Sequence, residues 1–162
     1  MQPARFIHPD FPDHALLDSG DGEKLERFGE VILRRPDPQA LWERRLDAAT
    51  WEGAHLRFVR ESDRGGRWQP SAKAPRVARG REAEWGISWG AARLLVRPTP
   101  FKHLGVFPEQ AANWAWLTEL KERFNTERPR LLNLFGYSGA ASVAAALAGY
   151  EVTHVDASRT SL

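Results

Sequence analysis

The chain has 162 residues, of which 42% are hydrophobic and 27% are charged, a composition typical of a globular rather than a disordered protein. It contains no cysteine, so disulfides, thiolate metal sites and a cysteine nucleophile are excluded. No apolar run approaches the roughly 20 residues of a membrane span, and the first ten residues lack the pattern of a signal peptide. We therefore expect a cytoplasmic protein that does not associate with membranes.

In the first half of the chain, short extended segments alternate with turn residues. Helical periodicity is not apparent before about residue 107, and Asp18 to Gly22 is dense in turn residues. We predict a small antiparallel β domain over residues 1–97. Its strand candidates are Glu30 to Arg34, His55 to Val59, Glu84 to Ser88 and Ala92 to Arg97.

The basic residues concentrate in one segment, Arg57 to Arg81, although the formal net charge is only +2. Arginines interleaved with Trp68 suit phosphate contacts and base stacking, so RNA is a possible partner. A solvated surface loop is an equally good interpretation. Within this segment, Gly65 to Gly80 is rich in Arg, Pro and Gly and predicts a mobile loop.

The second half of the chain has a helical pattern followed by one βαβ unit. From Pro108 onward, Trp114, Leu117, Leu120 and Phe124 recur at helical spacing. A buried parallel strand, a glycine turn, an alanine-rich helix and a second strand then follow in order. We predict an α/β domain over residues 98–162, which makes the whole chain α+β. The predicted elements of the unit are Arg130 to Phe135, Ala140 to Ala148 ended by Gly149, and Glu151 to Val155.

The turn between the first strand and the alanine-rich helix carries the chemical signal. Gly136 and Gly139 allow the backbone to approach a ligand closely, and the free N–H groups of the helix start favour its anionic or polar part. Asp156 closes the second strand, where an ionised carboxylate can accept two ribose hydroxyls. This geometry suits an adenosyl ligand.

Three alternatives compete for the same turn. A dinucleotide site requires Gly-x-Gly-x-x-Gly, but Ser138 stands at the second glycine position. A hydrolase nucleophile elbow at Ser138 lacks its final glycine, which is Ala140, and no histidine follows Asp156. The third alternative is a tight turn without any ligand. The complete series of strand, loop, helix, strand and acid favours the adenosyl site.

The residues around this turn resemble a known family. Leu132 to Gly139 and Val155 to Ser158 resemble motif I and the acidic end of the second strand in class I S-adenosylmethionine (SAM)-dependent methyltransferases. The similarity is to the group related to the bacterial 23S rRNA cytosine-C5 methyltransferases. Phe101 to Gln110 resembles that family's Lys-Thr-Gly-Phe-Phe-x-Asp-Gln-Arg signature, with one extra residue and with Ala111 at the arginine position. Residues 17–29 resemble only one methyltransferase subgroup.

The resemblance implies a Rossmann-like domain, SAM as the cofactor and an RNA base as the methyl acceptor. Gly136, Ser138 and Gly139 would cradle the methionine part of SAM, and Asp156 would bind the ribose. Further residues would surround the cofactor or lie over the same pocket. These are Asn133, Phe135, Tyr137, Phe107 and Gln110.

The sequence also lacks features that the resemblance leads one to expect. The family's catalytic loop carries an Asn/Asp-Pro-Pro-aromatic motif, which is absent, so we assign no catalytic residue. The five histidines lack ligand spacing, so we assign no metal. We expect a truncated cofactor-binding fragment that is inactive alone and that self-associates through its open sheet edge. The alternative is an RNA-binding β module attached to a vestigial nucleotide-binding fold without catalysis.

Overall fold

The computed structural model describes residues 10–63, 65–80 and 82–158, and it has a mixed α/β fold. The described residues separate into two compact units, one within residues 10–11, 89–92 and 106–158 and the other within residues 12–88 and 93–105. The domain boundary that we place after residue 97 stays a prediction. Among the described helices, none is long and apolar enough to cross a membrane.

The larger unit contains a five-stranded sheet in the order β1-β2-β3-β4-β5. Three of its four pairings are antiparallel, as predicted, but β3 and β4 are parallel. A parallel pair needs a long crossover, and the crossover here includes a short helix, α1, that we did not predict. The element bounds are β1 His14–Gly20, β2 Glu23–Phe28, β3 Val31–Pro36, α1 Ala48–Glu52, β4 Leu56–Ser62 and β5 Gly65–Pro70.

The crossover is held to the sheet by one buried carboxylate. Asp18 is 7% exposed, and its carboxylate accepts hydrogen bonds from the backbone N–H groups of Arg45 and Leu46. The indole Nε1 of Trp51 in α1 donates to the same oxygen over 3.0 Å. The segment Asp18 to Gly22, which is dense in turn residues, contains a turn, but its first three residues belong to β1, which continues to Gly20. Only Asp21 and Gly22 form the turn, both with positive φ.

The predicted mobile loop from Gly65 to Gly80 is also wrong in its first part. Residues Gly65–Pro70 form β5, which pairs with β4, and a 3-10 turn follows at Arg76–Ala78. Glycine normally weakens a strand, which is why the sequence predicts a loop. Here glycine is required, since a Cβ on Gly66 would lie 2.2 Å from the carbonyl oxygen of Val59.

A largely buried ionic network lies on β1, β2 and β3 of this sheet. The Glu26 carboxylate, in β2, accepts two hydrogen bonds from the guanidinium of Arg35 and faces His14 and Lys24. Asp18 and Arg34 are also buried in this unit, whereas most of its other buried residues are apolar. The core includes Leu25, Phe28, Val31, Leu33 and Leu56.

Two further strands, β6 (Trp85–Trp89) and β7 (Ala92–Val96), form a separate two-stranded sheet close to the predicted positions. The indole of Trp85 donates to the carbonyl oxygen of Phe28 over 2.9 Å. The Ser88 amide donates to Asp13. These bonds anchor residues 85–88 within the larger unit.

The smaller unit contains the predicted helix and βαβ segment. A 3-10 turn at Pro108–Gln110 leads into α2 (Ala111–Lys121), which buries Trp114 against the rings of Phe11 and Trp89. Then follow β8, α3 and β9, and β8 and β9 pair in parallel, which confirms the prediction. Their bounds are β8 Arg130–Leu134, α3 Ala140–Leu147 and β9 Glu151–Val155.

The prediction that the first of these strands is buried is wrong, because only one face of the β8–β9 pair is covered. Ser142 of α3 bonds to Asn133 and His154, so those residues lie beneath the helix. The opposite face is solvent-exposed, and Leu132 and Leu134 are 60% and 55% exposed. The apolar run of β8 therefore predicts a strand, but it does not show that the described residues cover both faces of that strand.

Candidate cofactor-binding loop

The loop between β8 and α3 has an unusual backbone. Phe135 and Tyr137 have φ values of 56° and 52°, in the left-handed region that residues with a side chain rarely adopt. Gly139 follows with φ 89° and caps the N-terminus of α3. Left-handed conformations at residues other than glycine are strained and concentrate at functional sites. The loop is therefore a candidate site on backbone geometry alone.

Gly136 is required because the His154 ring lies against it. A Cβ at Gly136 would stand 2.3 Å from His154 Cε1 and 2.5 Å from Nδ1, which is closer than atoms can approach. A Cβ at Gly139 would lie 3.7 Å from the same ring, an ordinary contact, so at this position the left-handed φ selects glycine. The two positions therefore require glycine for different reasons, a steric one at Gly136 and a conformational one at Gly139.

A hydrogen-bond chain fixes the His154 ring in this position. Asn133 Nδ2 donates to Ser142 Oγ over 2.9 Å, and that oxygen lies 2.8 Å from His154 Nδ1. One hydroxyl can bond to both side chains at once, because it has two acceptor lone pairs and one donor hydrogen. Asn133, a predicted cofactor neighbour, therefore lies behind the loop and supports it.

Asp156 is joined to the loop directly. Its Oδ2 accepts a hydrogen bond from the Tyr137 amide over 2.7 Å, and its Oδ1 accepts one from the Ser158 amide over 2.7 Å. The bond from Ser158 and then that from Tyr137 hold the pKa of the Asp156 carboxyl below its usual range. The carboxylate is therefore ionised at neutral pH. Each oxygen can accept a further hydrogen bond, as two ribose hydroxyls would require.

Of the other predicted cofactor neighbours, one contacts the loop through its ring, one bonds within its own segment and two are exposed. The ring of Phe107 lies 5.3 Å from that of Tyr137, so the segment before α2 reaches the loop. Gln110 Oε1 accepts a hydrogen bond from Asn113 over 2.7 Å. Ser138 is exposed within the loop, and Phe135 is 89% exposed. Contact of these residues with a cofactor stays a prediction.

Two residues of this site were missed from the sequence, Ser142 and His154. A signal was available for His154, because it lies directly opposite Asn133 in the parallel register, and side chains at such positions share a face. An Asn and a His on the covered face of a sheet need hydrogen-bond partners. A serine on the overlying helix is a suitable one.

An adenosyl cofactor fits these residues. The loop offers the N-terminus of α3 and an ionised carboxylate one hydrogen bond away. These are the chemical requirements of a nucleoside ligand with a polar tail.

Solved structures of known proteins have the same fold. The chain is similar to SAM-dependent methyltransferases. A SAM-dependent methyltransferase from Agrobacterium tumefaciens matches 94% of this chain with 41% identity and a TM-score of 0.83. This match covers 46% of that protein, so the chain spans less than half the length of its relative. No family model matches the chain, and no curated protein matches it.

Two more distant structures share the fold alone. A proposed SAM-dependent methyltransferase from Streptococcus mutans matches 95% of this chain and 41% of its own length, with 17% identity and a TM-score of 0.63. A proposed methyltransferase solved in complex with S-adenosylhomocysteine (SAH) matches 92% of this chain and 39% of its own length, with 17% identity and a TM-score of 0.61.

Proposed function

We propose that this chain is the cofactor-binding part of a SAM-dependent methyltransferase with a Rossmann-like domain. The observation that carries the proposal is the 41% identity to the Agrobacterium enzyme over 94% of the chain. The bond between the Tyr137 amide and Asp156 supports it, since it brings the glycine loop and the acid to one place. We further propose that the protein is cytoplasmic and that an RNA base accepts the methyl group, as the motif I resemblance implies.

In this proposal the chain binds and orients SAM, which carries the transferable methyl group when bound. Gly136, Ser138 and Gly139 contact its methionine part, and Asp156 accepts the ribose hydroxyls. Phe107 and Tyr137, whose rings are adjacent, border the cofactor. Positioning alone does not activate a base, and we assign no residue of this chain to that step. We therefore expect no methyl transfer to RNA by this chain alone.

Calorimetric titration with SAM and with SAH tests the cofactor site. The wild type should bind both. Gly139→Val should bind at least about tenfold more weakly, because valine resists a left-handed φ and its branched side chain would hinder the approach of SAM to the loop backbone. Gly80→Val is a matched control, since Gly80 has φ 86° and its Cβ would meet nothing within 4 Å. Equal affinities of wild type and Gly139→Val would contradict the proposed site.

A second candidate function is RNA binding without catalysis. Arg57, Arg60 and Arg67 are exposed on β4 and β5, which supports it, although Arg67 pairs with Glu61. Arg64 and Arg81 of the basic segment lie outside the described residues. Salt-dependent RNA binding without any affinity for SAM would favour this candidate, and saturable SAM binding favours the methyltransferase.

A further inference from the structure

A small open cavity of about 220 Å³ lies in the larger unit, where the turn before residue 104 passes the β4–β5 hairpin. It is separate in sequence from the glycine loop, and the proposed SAM site does not use it. Two aromatic and two strongly basic side chains border it. The lining includes Phe58, Phe101, Arg60, Lys102, Asp63 and His103.

The turn that carries Phe101 and Lys102 is fixed by hydrogen bonds. Lys102 has φ 66°, and its N–H donates to the carbonyl oxygen of Thr99 while its own carbonyl accepts from Arg35 over 3.1 Å. The Gly66 amide donates to Pro100, and the Trp68 indole donates to Thr99 over 2.8 Å. A strained residue held from several sides is typical of a preorganised binding site.

The lining carries two cations, Arg60 and Lys102, and one carboxylate, Asp63. Lys102 donates through Nζ to the carbonyl oxygen of Pro36, so its charge is held in place. Burial, opposed by Asp37 and reinforced by nearby cations that include Arg60, lowers the pKa of Lys102. Arg60 is exposed and forms no ion pair with a residue that the structure describes. A bound anion would relieve the repulsion between Lys102 and these nearby cations.

Phe101 presents an aromatic surface at the same place. Its side chain is 62% exposed although the backbone around it is fixed. Because the ring is exposed at the cavity, it is accessible to a ligand. When a base stacks on this ring, the protein loses little conformational freedom, because the turn is already ordered.

We propose that this cavity binds one nucleotide of single-stranded RNA, with the base stacked on Phe101 and the phosphate between Arg60 and Lys102. Cationic side chains next to an exposed ring are the combination that single-stranded nucleic acids recognise. The choice of RNA rests on the proposed function, whereas the stacking and phosphate contacts rest on the cavity. His103 and Asp63 lie on the same lining.

Fluorescence anisotropy with a labelled ten-nucleotide oligouridine, at several salt concentrations, tests the proposal. Phe101→Leu should weaken binding about tenfold, because leucine keeps an apolar surface but removes stacking. Arg60→Ala should also weaken it and should lower the salt slope by about one. Arg123→Ala, an exposed arginine after α2, is the matched control and should change affinity less than twofold.

Wild-type affinity of Phe101→Leu, or equal losses for Arg60→Ala and Arg123→Ala, would overturn the proposal. Equal binding of the matching DNA would support it, since stacking and phosphate contacts do not read the 2′-hydroxyl. A SAM titration of each variant separates the two proposals. Weaker RNA binding by Phe101→Leu and Arg60→Ala with SAM binding intact supports the cavity. A wild type that binds SAM but not RNA contradicts only the cavity, and one that binds RNA but not SAM contradicts only the cofactor site.

Discussion

At the scale of single residues, the candidate loop depends on a pairing of a glycine with a histidine. Gly136 has no side chain because the His154 ring occupies that space, and Ser142 holds the ring there. The sequence identified Gly136 and Gly139, because glycines at a strand-to-helix turn are a local signal. It did not identify His154, because the ring that requires the glycine lies on another strand and its position opposite Asn133 depends on the strand register.

This pairing predicts coupled mutations. Gly136→Ala should lower the free energy of unfolding by about 1–3 kcal/mol and weaken SAM binding, because the added methyl group overlaps the ring. His154→Ala in the same chain should restore part of both losses, since it removes the obstacle. Chemical denaturation and calorimetry of the double-mutant cycle measure the coupling.

Gly86→Ala is the control for this cycle, because a Cβ there would meet nothing within 4 Å. It should leave both quantities near the wild-type values. Strictly additive effects of Gly136→Ala and His154→Ala would show that the ring does not set the position of the loop.

At the scale of elements, a charged group is buried within a strand. Burial alone would raise the pKa of Glu26 in β2, but hydrogen bonds from His14 and Arg35, with the charges of Arg35 and Lys24, lower it to about 2. The usual value is 4.5. A lowered pKa in the folded state stabilises the protein fully above pH 4.5, and this contribution is lost as the pH falls toward 2.

Glu26→Gln should therefore reduce the free energy of unfolding at pH 7 by an amount on the order of 3 kcal/mol. The difference from the wild type should shrink as the pH falls below 4.5. Urea denaturation at pH 7.0, 4.0 and 2.5 measures both effects. Glu30→Gln, at an exposed carboxylate, should change little at any of these values. A difference that stays constant with pH would contradict the role of the charge.

The elements differ in how well the sequence specified them. The helix α3 and strand β9 were predicted nearly to the residue, because alanine-rich and β-branched runs bounded by glycines are strong local patterns. The strand β5 was missed because the sequence does not show that the close approach of β4 requires glycine in this strand. The helix α1 was missed because five residues are too few to show a period, and its stability comes from Trp51 and the cap at Asp47.

At the scale of the whole molecule, the exposed face of the β8–β9 pair predicts self-association. Leu132, Leu134 and Val155 form an apolar surface, and the pair is a two-stranded sheet. Burial of such a surface contributes roughly 25 cal/mol per Å². The purified chain should therefore form dimers or larger species whose mass rises with concentration, as light scattering would show.

Leu132→Glu combined with Leu134→Glu should shift the population to monomers, because two charges on the surface oppose its burial. Leu41→Glu is the control, since Leu41 is 87% exposed elsewhere on the chain. A monomeric wild type at all concentrations, or an equal effect of the control, would show that this face does not drive association. The fold class followed from the order of the elements, whereas the exposure of this face depends on what packs against it.

The buried carboxylate of Asp18 also determines where the chain can change in length. It binds the amides of Arg45 and Leu46 and the indole of Trp51, so the crossover between β3 and β4 has a fixed path. An inserted or deleted residue there would break these bonds and shift the parallel pairing of Leu33 with Leu56. Evolutionary insertions are thus better tolerated at the turn after β6, where Gly90 has open space around it, than in this crossover.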